Sequence, residues 1–194
     1  MKTQLGIIFR FIGEVADTVI IALVVFLLLY FFVAQPHKVV GSSMFPNLEN
    51  GEYILTEKLS YRFGSAERGD VVVLKAPASA HLGSTGHDYL IKRVIGLPSE
   101  TVKFENDKVI INGQVLNEPY LDFSVKTVGG SEVVLGASQY FVMGDNRSDS
   151  YDSRAWGPLE QNLIVGKAFF VYWPVFNAGE LDGARLIKHE NYGQ

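Results

Sequence analysis

The 20 residues from Val15 to Ala34, VADTVIIALVVFLLLYFFVA, are continuously apolar apart from Asp17 and Thr18. As a helix they would span about 30 Å, the thickness of the hydrocarbon core of a bilayer. A helix in a globular core normally keeps one polar face, and this segment has none beyond its first turn. A cleaved signal peptide has a shorter apolar region that ends in small residues, whereas two aromatic residues and a valine precede Ala34. The segment therefore predicts a retained transmembrane anchor.

Basic residues on either side of this anchor predict its orientation. Lys2 and Arg10 precede it, and Lys38 is the nearest basic residue after it. Because positive charge accumulates on the cytoplasmic side, we expect residues 1–36 to form a cytoplasmic stub and a single membrane crossing. The rest of the chain would then lie on the extracytoplasmic side of the cell (plasma or inner) membrane, with the lipid bilayer as a partner.

Composition limits the chemistry available to the remaining residues. The chain has 194 residues, 47% of them hydrophobic, which is enough for one core with a small appendage. Its formal net charge of −4 does not favour nucleic-acid binding, which usually needs a basic face. Without cysteine there is no thiol nucleophile, disulfide or cysteine-based metal site. We expect no cofactor, no metal and no nucleic-acid partner.

Short runs of β-branched and aromatic residues, separated by Gly, Pro, Asn or Asp, follow the anchor. Asn112-Gly113 lies between two apolar runs, which indicates a two-residue hairpin. Since no helical stretch separates the runs, we expect a mainly β fold, with an antiparallel, barrel-like domain over 37–176 and a small inserted β subdomain over about 99–138. The predicted strands are 52–57, 70–75, 89–95, 108–112, 132–135, 139–143 and 167–173.

Two further segments are predicted to lie at the surface. Residues 76–88 are small and polar, as expected of an exposed loop between two strands. Residues 177–194 form a polar tail that we expect to be peripheral, with one or two helical turns over 180–187.

None of the four histidines has a pattern that indicates a Ser-His-Asp triad, but a neutral lysine can also activate a serine. In YLIKRVI, residues 89–95, strand alternation places Lys92 on the same face as Leu90 and Val94. Burial there would favour the neutral amine. A lysine whose amine reaches solvent from a half-exposed strand is the alternative, and the pattern leaves both open.

Residues 143–157, MGDNRSDSYDSRAWG, carry five charges within ten residues. A calcium-binding loop starting at Asp145 would need a ligand where Arg147 stands and a glutamate where Trp156 stands, so we reject it. Mixed charges between Met143 and Trp156 indicate acids and arginines that pair with each other beside a core.

Four segments in this order resemble the conserved boxes of bacterial-type signal peptidase I: GSSMFPNL, RGDVVVLKAP, YLIKRVIGLP and GDNRSDSYDSRAWG. Members of that family are membrane-anchored Ser-Lys endopeptidases that remove signal peptides from exported preproteins. The resemblance covers roughly Val39 to Pro174. It implies a signal peptide as substrate, cleavage at the outer face of the membrane and an acyl-enzyme intermediate.

The resemblance also assigns roles to individual residues. Ser43 matches the nucleophile, Lys92 the general base and Ser150 the serine that orients the lysine amine. Asp152 and Arg154 match an ion pair that supports the site. The other residues implied at the site are Asp145 and Arg147 in the same box, Val39, Met44, Leu48, Leu90 and Ile91 around the substrate pockets, and the Ser43 backbone N–H in the oxyanion hole. Gly41 stands where some members supply a second oxyanion donor from a serine.

The sequence departs from the family pattern at Asn47, where threonine is usual, and at Ser99, where glycine is usual. The stretch between the lysine and arginine boxes is short, which implies a reduced second subdomain. Alternatives are a self-cleaving repressor with a Ser-Lys site, and a catalytically silent membrane-anchored β-domain that binds peptides or a partner. Ser42 is an alternative nucleophile, but the match to Ser-Met-x-Pro favours Ser43.

Overall fold

The computed structural model describes residues 2–81, 89–174, 184–187 and 189. Helix α1 (Lys2–Phe32) contains a candidate membrane span at Arg10–Leu28, which has the length and composition needed to cross a bilayer and is not packed against the rest of the chain. It is the one such span within the described ranges. The helix stops two residues before the end of the apolar stretch, since Ala34 already belongs to a strand that pairs with Glu57.

The rest of the described chain is mainly β, as predicted. Two one-turn helices, α2 (Ser60–Phe63) and α3 (Ser153–Trp156), interrupt it. The strands are β1 (Ala34–Lys38), β2 (Tyr53–Glu57), β3 (Val71–Lys75), β4 (Tyr89–Gly96), β5 (Thr101–Glu105), β6 (Lys108–Ile111), β7 (Gln114–Val115), β8 (Val133–Val134), β9 (Gln139–Met143), β10 (Leu159–Glu160), β11 (Ile164–Trp173) and β12 (Arg185–Leu186).

All strand pairs are antiparallel, and they form two sheets. The larger sheet has the order β1-β2-β11-β3-β4-β9-β10, with β12 paired to β11. The smaller sheet has the order β7-β6-β5-β8 and lies between β4 and β9 in the chain, where the inserted subdomain is predicted. A two-residue turn at Asn112-Gly113 joins β6 to β7, as the hairpin signal indicates.

Three apolar clusters form the core. Two belong to the larger sheet and include Ile54 and Val73 in one and Val72 and Val94 in the other. The third joins the two sheets, because Val102 of β5 packs with residues of β4 and β9.

The structure corrects several predicted elements. Strands β1, β5, β10 and β12 lie outside the predicted runs. In the tail, Arg185–Leu186 forms a strand that pairs with β11 rather than a helix. Ile187 is buried, so this part of the tail is not peripheral. Residues 82–88 of the predicted loop and most of the tail lie outside the described residues. At Ser99 the backbone is left-handed, with φ of 68°, which explains why glycine is the usual residue at that turn.

Candidate active site

Ser43 lies in the connection between β1 and β2, which backbone hydrogen bonds close at its base. Val39 N donates to Glu52 O at 2.7 Å, and Gly51 N donates to Val39 O at 2.9 Å. Met44, directly after the serine, is 2% exposed and packs into the core. Because the methionine is held by packing, the turn that carries Ser43 is held with it.

The amine next to this hydroxyl comes from β4. Lys92 is 3% exposed, so the alternative of a solvent-exposed amine is wrong. Its Nζ lies 2.6 Å from Ser43 Oγ, a hydrogen-bonding distance. Two residues 49 positions apart in the sequence are therefore in direct contact.

Burial lowers the pKa of Lys92 from about 10.5 to about 8. Loss of hydration is the largest cause, and the carboxylates of Asp152 and Asp145 act against it. Among the described residues, no carboxylate lies within 4 Å of Nζ to stabilise the ammonium form. The neutral amine that a general base requires is accordingly populated near neutral pH.

Asp152 and Arg154 form a bidentate ion pair at the start of α3, as the mixed charges predict. Arg154 Nε donates to Asp152 Oδ1 at 2.9 Å, and Nη2 donates to Oδ2 at 2.8 Å. Gly144 N donates to the same carboxylate at 3.0 Å. Burial opposes ionisation of Asp152, but these donors outweigh it and hold the pKa of the carboxyl below its usual value.

Asp145 pairs outside its own segment. Arg93, the residue after the lysine, donates to both carboxylate oxygens at 2.8 and 2.7 Å, and both side chains are almost fully buried. Asn47 Nδ2 also donates to Asp145, at 2.9 Å, and to Tyr120 O at 3.0 Å. The asparagine that departs from the family pattern therefore ties the serine-bearing loop to the charged segment, a contact that the sequence did not predict.

Arg147 pairs with the inserted sheet. Its guanidinium forms an ion pair with Glu118, and Nη1 donates to Thr127 Oγ1 at 2.6 Å. The expectation that charges of this segment pair with each other thus holds for Asp152 and Arg154, whereas Arg147 reaches Glu118, 29 positions earlier.

The position of Ser150 is set by a close backbone approach. Its buried Oγ lies beside Asp152 and makes no hydrogen bond of good geometry within the described residues. A Cβ on Gly144 would overlap both Ser150 Oγ and the Ser43 carbonyl oxygen. Glycine at 144 therefore allows the segment with Ser150 to lie directly against the serine-bearing turn.

Backbone and side-chain contacts orient the residues that precede the serine hydroxyl. Ser42 Oγ donates to Asp149 Oδ2 at 2.5 Å, so it is turned away from Lys92. Asn146 N donates to Ser43 O at 3.0 Å, and Asn146 Nδ2 donates to Ser42 O at 3.2 Å. With the described residues as possible partners, the Ser43 N–H makes no hydrogen bond. Gly41, with φ of 92°, uses its own N–H to bind Asn50 Oδ1 at 3.0 Å.

Most of the residues predicted around the substrate pockets lie together. Val39, Met44, Leu48 and Ile91 share one apolar cluster next to Ser43. Leu90 does not join them, since it packs against the cluster on the other face of the sheet. This separation follows from strand alternation, because neighbouring side chains on β4 point to opposite faces.

The described histidines form hydrogen bonds with groups other than Ser43 and Lys92. His37 pairs with Thr56 Oγ1, His81 with Ser79 O and His189 with Val71 N, while His87 lies outside the described residues. No group of three or more potential metal ligands occurs among the described residues.

This chain is similar to known proteins over most of its length. Residues 12–173 match a family described as signal peptidase, peptidase S26. The chain is 40% identical to a probable signal peptidase I-1 of Synechocystis sp. over 181 residues, which cover 92% of this chain and 91% of that protein. It is 34% identical to signal peptidase IB of Staphylococcus aureus, with 83% of this chain and 91% of that protein covered.

A signal peptidase I from Enterococcus faecalis with a solved crystal structure is 28% identical, with 53% of this chain and 96% of that chain covered and a TM-score of 0.42. The sequence relatives place the chain among the serine-type peptidases. It belongs to the signal peptidase family, peptidase S26.

Proposed function

We propose that this protein is a signal peptidase I, which cuts N-terminal signal peptides from exported preproteins at the outer face of the membrane. The observation that carries the proposal is the contact of 2.6 Å between Ser43 Oγ and a buried lysine amine whose pKa is lowered to about 8. A hydroxyl beside a neutral amine can be activated as a nucleophile without histidine.

In the first half of the reaction, Lys92 Nζ accepts the proton of Ser43 Oγ while that oxygen attacks the scissile carbonyl carbon. The Ser43 backbone N–H is the first donor to the oxyanion. The ammonium of Lys92 then returns its proton to the leaving amine, and the carbon–nitrogen bond breaks to leave an acyl-enzyme.

In the second half, Lys92 accepts a proton from water as the water oxygen attacks the ester. Breakdown of this second tetrahedral intermediate returns the proton to Ser43 Oγ and releases the signal peptide with a free carboxylate. We assign the orientation of the amine to Ser150 from the family resemblance, since its buried Oγ makes no hydrogen bond of good geometry among the described residues. The ion pair of Asp152 with Arg154 holds the segment that carries Ser150. Asp145 and Arg147 support this segment through Arg93 and Glu118.

The edge of β4 offers a place for an extended substrate. Within the described residues, β9 pairs with Arg93, Val94 and Gly96 but with no residue before them, so no described strand occupies this edge of 89–92 beside Ser43. A peptide that adds a strand there would place alternate side chains against the apolar cluster of Val39, Met44, Leu48 and Ile91. From the family resemblance and the branched residues of this cluster, we expect small side chains at the first and third positions before the cut.

The anchor supports cleavage close to the bilayer. Ser43 is nine residues beyond Ala34, which keeps it within about 30 Å of the membrane even with a fully extended connection. A signal peptide held in the same membrane would present its cut site at a similar height. Attachment of both molecules to one bilayer raises their effective concentration. We place the amino terminus in the cytoplasm.

The test is cleavage of a preprotein with an Ala-x-Ala site by the full chain in detergent, with the product masses measured. Cleavage after the second alanine by the wild type, and none by Ser43→Ala, is the expected result. Binding without cleavage by the wild type would instead identify a silent peptide-binding domain and overturn the proposal.

A further inference from the structure

A cavity of about 730 Å³ opens beside the serine-bearing loop and is lined by loop residues. One wall consists of Phe45 and Pro46, the second and third residues after Ser43. Another wall comes from the inserted subdomain, with the apolar Leu121, Val125 and Val128 and the polar Asp122, Ser124 and Lys126. Phe45 and Val128 are 52% and 68% exposed, so large apolar surfaces face an open space.

A hydrogen bond connects the lining of this cavity to the turn that carries Ser43. Asn146 lines the cavity, and its backbone N–H is bound to Ser43 O at 3.0 Å. The cavity does not include the apolar cluster of Val39 and Ile91, which flanks Ser43 along the free edge of β4. The apolar cluster and the cavity, which differ in composition, thus both lie next to the Ser43 turn.

The course of a bound peptide connects these regions. A peptide that runs along residues 89–92 toward Ser43 cannot continue beside β4, because β9 occupies that edge from Arg93 onward. It must leave the sheet at the serine, and the cavity beside Phe45 and Asn146 is the adjoining open volume. The geometry points to this cavity as the binding site for the substrate segment that follows the cut, the first residues of the mature protein. This inference rests on the proposed function and adds a second recognition site to it.

Chemistry of the walls defines the preferred occupant. Apolar side chains of the serine-bearing loop and of the inserted subdomain line the cavity. Polar and charged groups complete the lining: Asp122, Ser124, Lys126, Asp145, Asn146, Arg147 and Ser148. A bulky apolar side chain would remove this exposed apolar surface from water. An acidic one would meet Lys126 and Arg147, but each of these cations is already paired with an acid, Asp107 and Glu118. Selection at one of the first four positions after the cut should therefore favour Leu or Phe over Gly and Asp.

The experiment uses the full chain in detergent and peptides that are identical before the cut. Each of the first four positions after it is varied among Gly, Leu, Phe, Asp and Lys. For the wild type we expect kcat/KM to be about tenfold higher with Leu or Phe than with Gly at one of these positions, the range typical of a hydrophobic pocket.

Substitutions in the cavity wall then locate the effect. Val128→Glu should lose the preference for Leu and favour Lys over Asp at the same position, and Val128→Lys should reverse that order. The matched control is Val134, another valine of the inserted unit, which is 71% exposed and does not line the cavity. Val134→Glu and Val134→Lys should keep the wild-type profile.

The outcomes separate the two proposals. A wild type that cleaves these peptides with equal kcat/KM at all four positions, or Val128 variants with the Val134 profile, would overturn the cavity assignment and leave the proposed function intact. A wild type that cleaves no peptide and no preprotein would overturn the proposed function and the inference with it. Thermal unfolding of each variant checks that the charge has not altered the fold.

Discussion

Two lysines in one row of the larger sheet differ in burial and in partner, since Lys92 is buried and Lys167 is partly exposed. Val72 of β3 pairs with Lys92 on one side and with Lys167 of β11 on the other. Lys167 Nζ lies 2.6 Å from Asp70 Oδ1, and Asp70 also accepts a bond from Tyr61. Lys92 Nζ instead meets a neutral hydroxyl at the same distance.

The contrast shows that both the burial of an amine and the group it contacts decide which protonation state is favoured. A carboxylate in contact stabilises the ammonium form and offsets the cost of desolvation, so the pair of Lys167 with Asp70 is suited to holding β11 against the start of β3. Asp152 and Asp145 act on Lys92 only from beyond ion-pair distance and are themselves neutralised by arginines. The pKa of Lys92 therefore stays low because these nearby carboxylates are already paired with arginines.

The largest effect expected is loss of turnover when the lysine cannot be neutral. Lys92→Arg should reduce kcat by at least about a thousandfold, since guanidinium stays protonated at accessible pH. Lys167→Arg is the matched control and should keep near wild-type activity, because guanidinium can replace ammonium beside Asp70. Preprotein cleavage assays of both variants make the comparison. Robust activity in Lys92→Arg would remove the lysine from the role of base.

The pH dependence of turnover sharpens the same contrast. Since the base must be neutral, kcat/KM should fall about tenfold for each pH unit below the pKa of Lys92, which is about 8. Asp152→Asn removes a carboxylate that raises this pKa, so its acid limb should move to lower pH. Lys167→Met should leave the limb in place. An acid limb of kcat/KM that lies near pH 6 and does not move in Asp152→Asn would indicate a different titrating group.

The arginine pairs that neutralise the nearby acids should matter chiefly for stability. Asp152→Asn leaves a guanidinium without its counter-ion in a buried site, and we expect a loss of about 3–5 kcal/mol in the free energy of unfolding. The control is Asp107→Asn, whose ion pair with Lys126 is largely exposed and should contribute less than about 1 kcal/mol. Urea unfolding in detergent measures both. Equal losses would mean that the segment around Asp152 is simply solvated.

Lys92→Met should increase stability below pH 8 by up to roughly 3 kcal/mol, at the expense of activity. The folded pKa of about 8 lies below the ordinary value of about 10.5, so the unfolded chain binds more protons between these limits. Wild-type stability therefore rises as pH increases from 8 to 10.5, and the gain from Lys92→Met should disappear over that window. Lys167→Met should destabilise instead, because it leaves Asp70 without its cation. A destabilised Lys92→Met at pH 7 would contradict this account.

Local features of this architecture were predictable from the sequence, whereas features that depend on long-range pairing were not. The alternation of β4 left a buried and an exposed Lys92 both open, and the structure shows it buried. The two turn residues at 112 and 113 were sufficient to locate the hairpin. Strand β1, with the sequence AQPHK, lacks the β-branched pattern of a strand and exists because β2 pairs with it. The two residues of β12 are too few for any periodicity, and packing on β11 makes them a strand.

The same distinction applies to the site. Ser43, Lys92, Asp152 and Arg154 lie in segments whose residues resemble family boxes, and the ion pair is local, two positions apart. The contacts of Arg93 with Asp145 and of Glu118 with Arg147 join residues that are 52 and 29 positions apart, and no local pattern indicates them. Asn47, where the sequence departs from the family pattern, donates to Asp145, and no local pattern indicates this contact either.

The smallest effects are expected at the two residues that precede the nucleophile. Ser42→Ala removes an exposed hydrogen bond to Asp149 and should reduce kcat only a few-fold, in contrast to Ser43→Ala.

Gly41→Ser tests whether a second oxyanion hydroxyl can be added, as other family members have. The space around Gly41 is open, but its φ of 92° disfavours a side chain and its N–H is already bound to Asn50. Serine would strain the turn before its hydroxyl reached the oxyanion, so we expect kcat unchanged or lowered less than about tenfold, whereas a useful donor would add about a hundredfold. Single-turnover kinetics with a peptide ester and the matching amide measure this directly. A large gain in Gly41→Ser would show that the turn adapts readily, and that the oxyanion hole of the wild type lacks a donor.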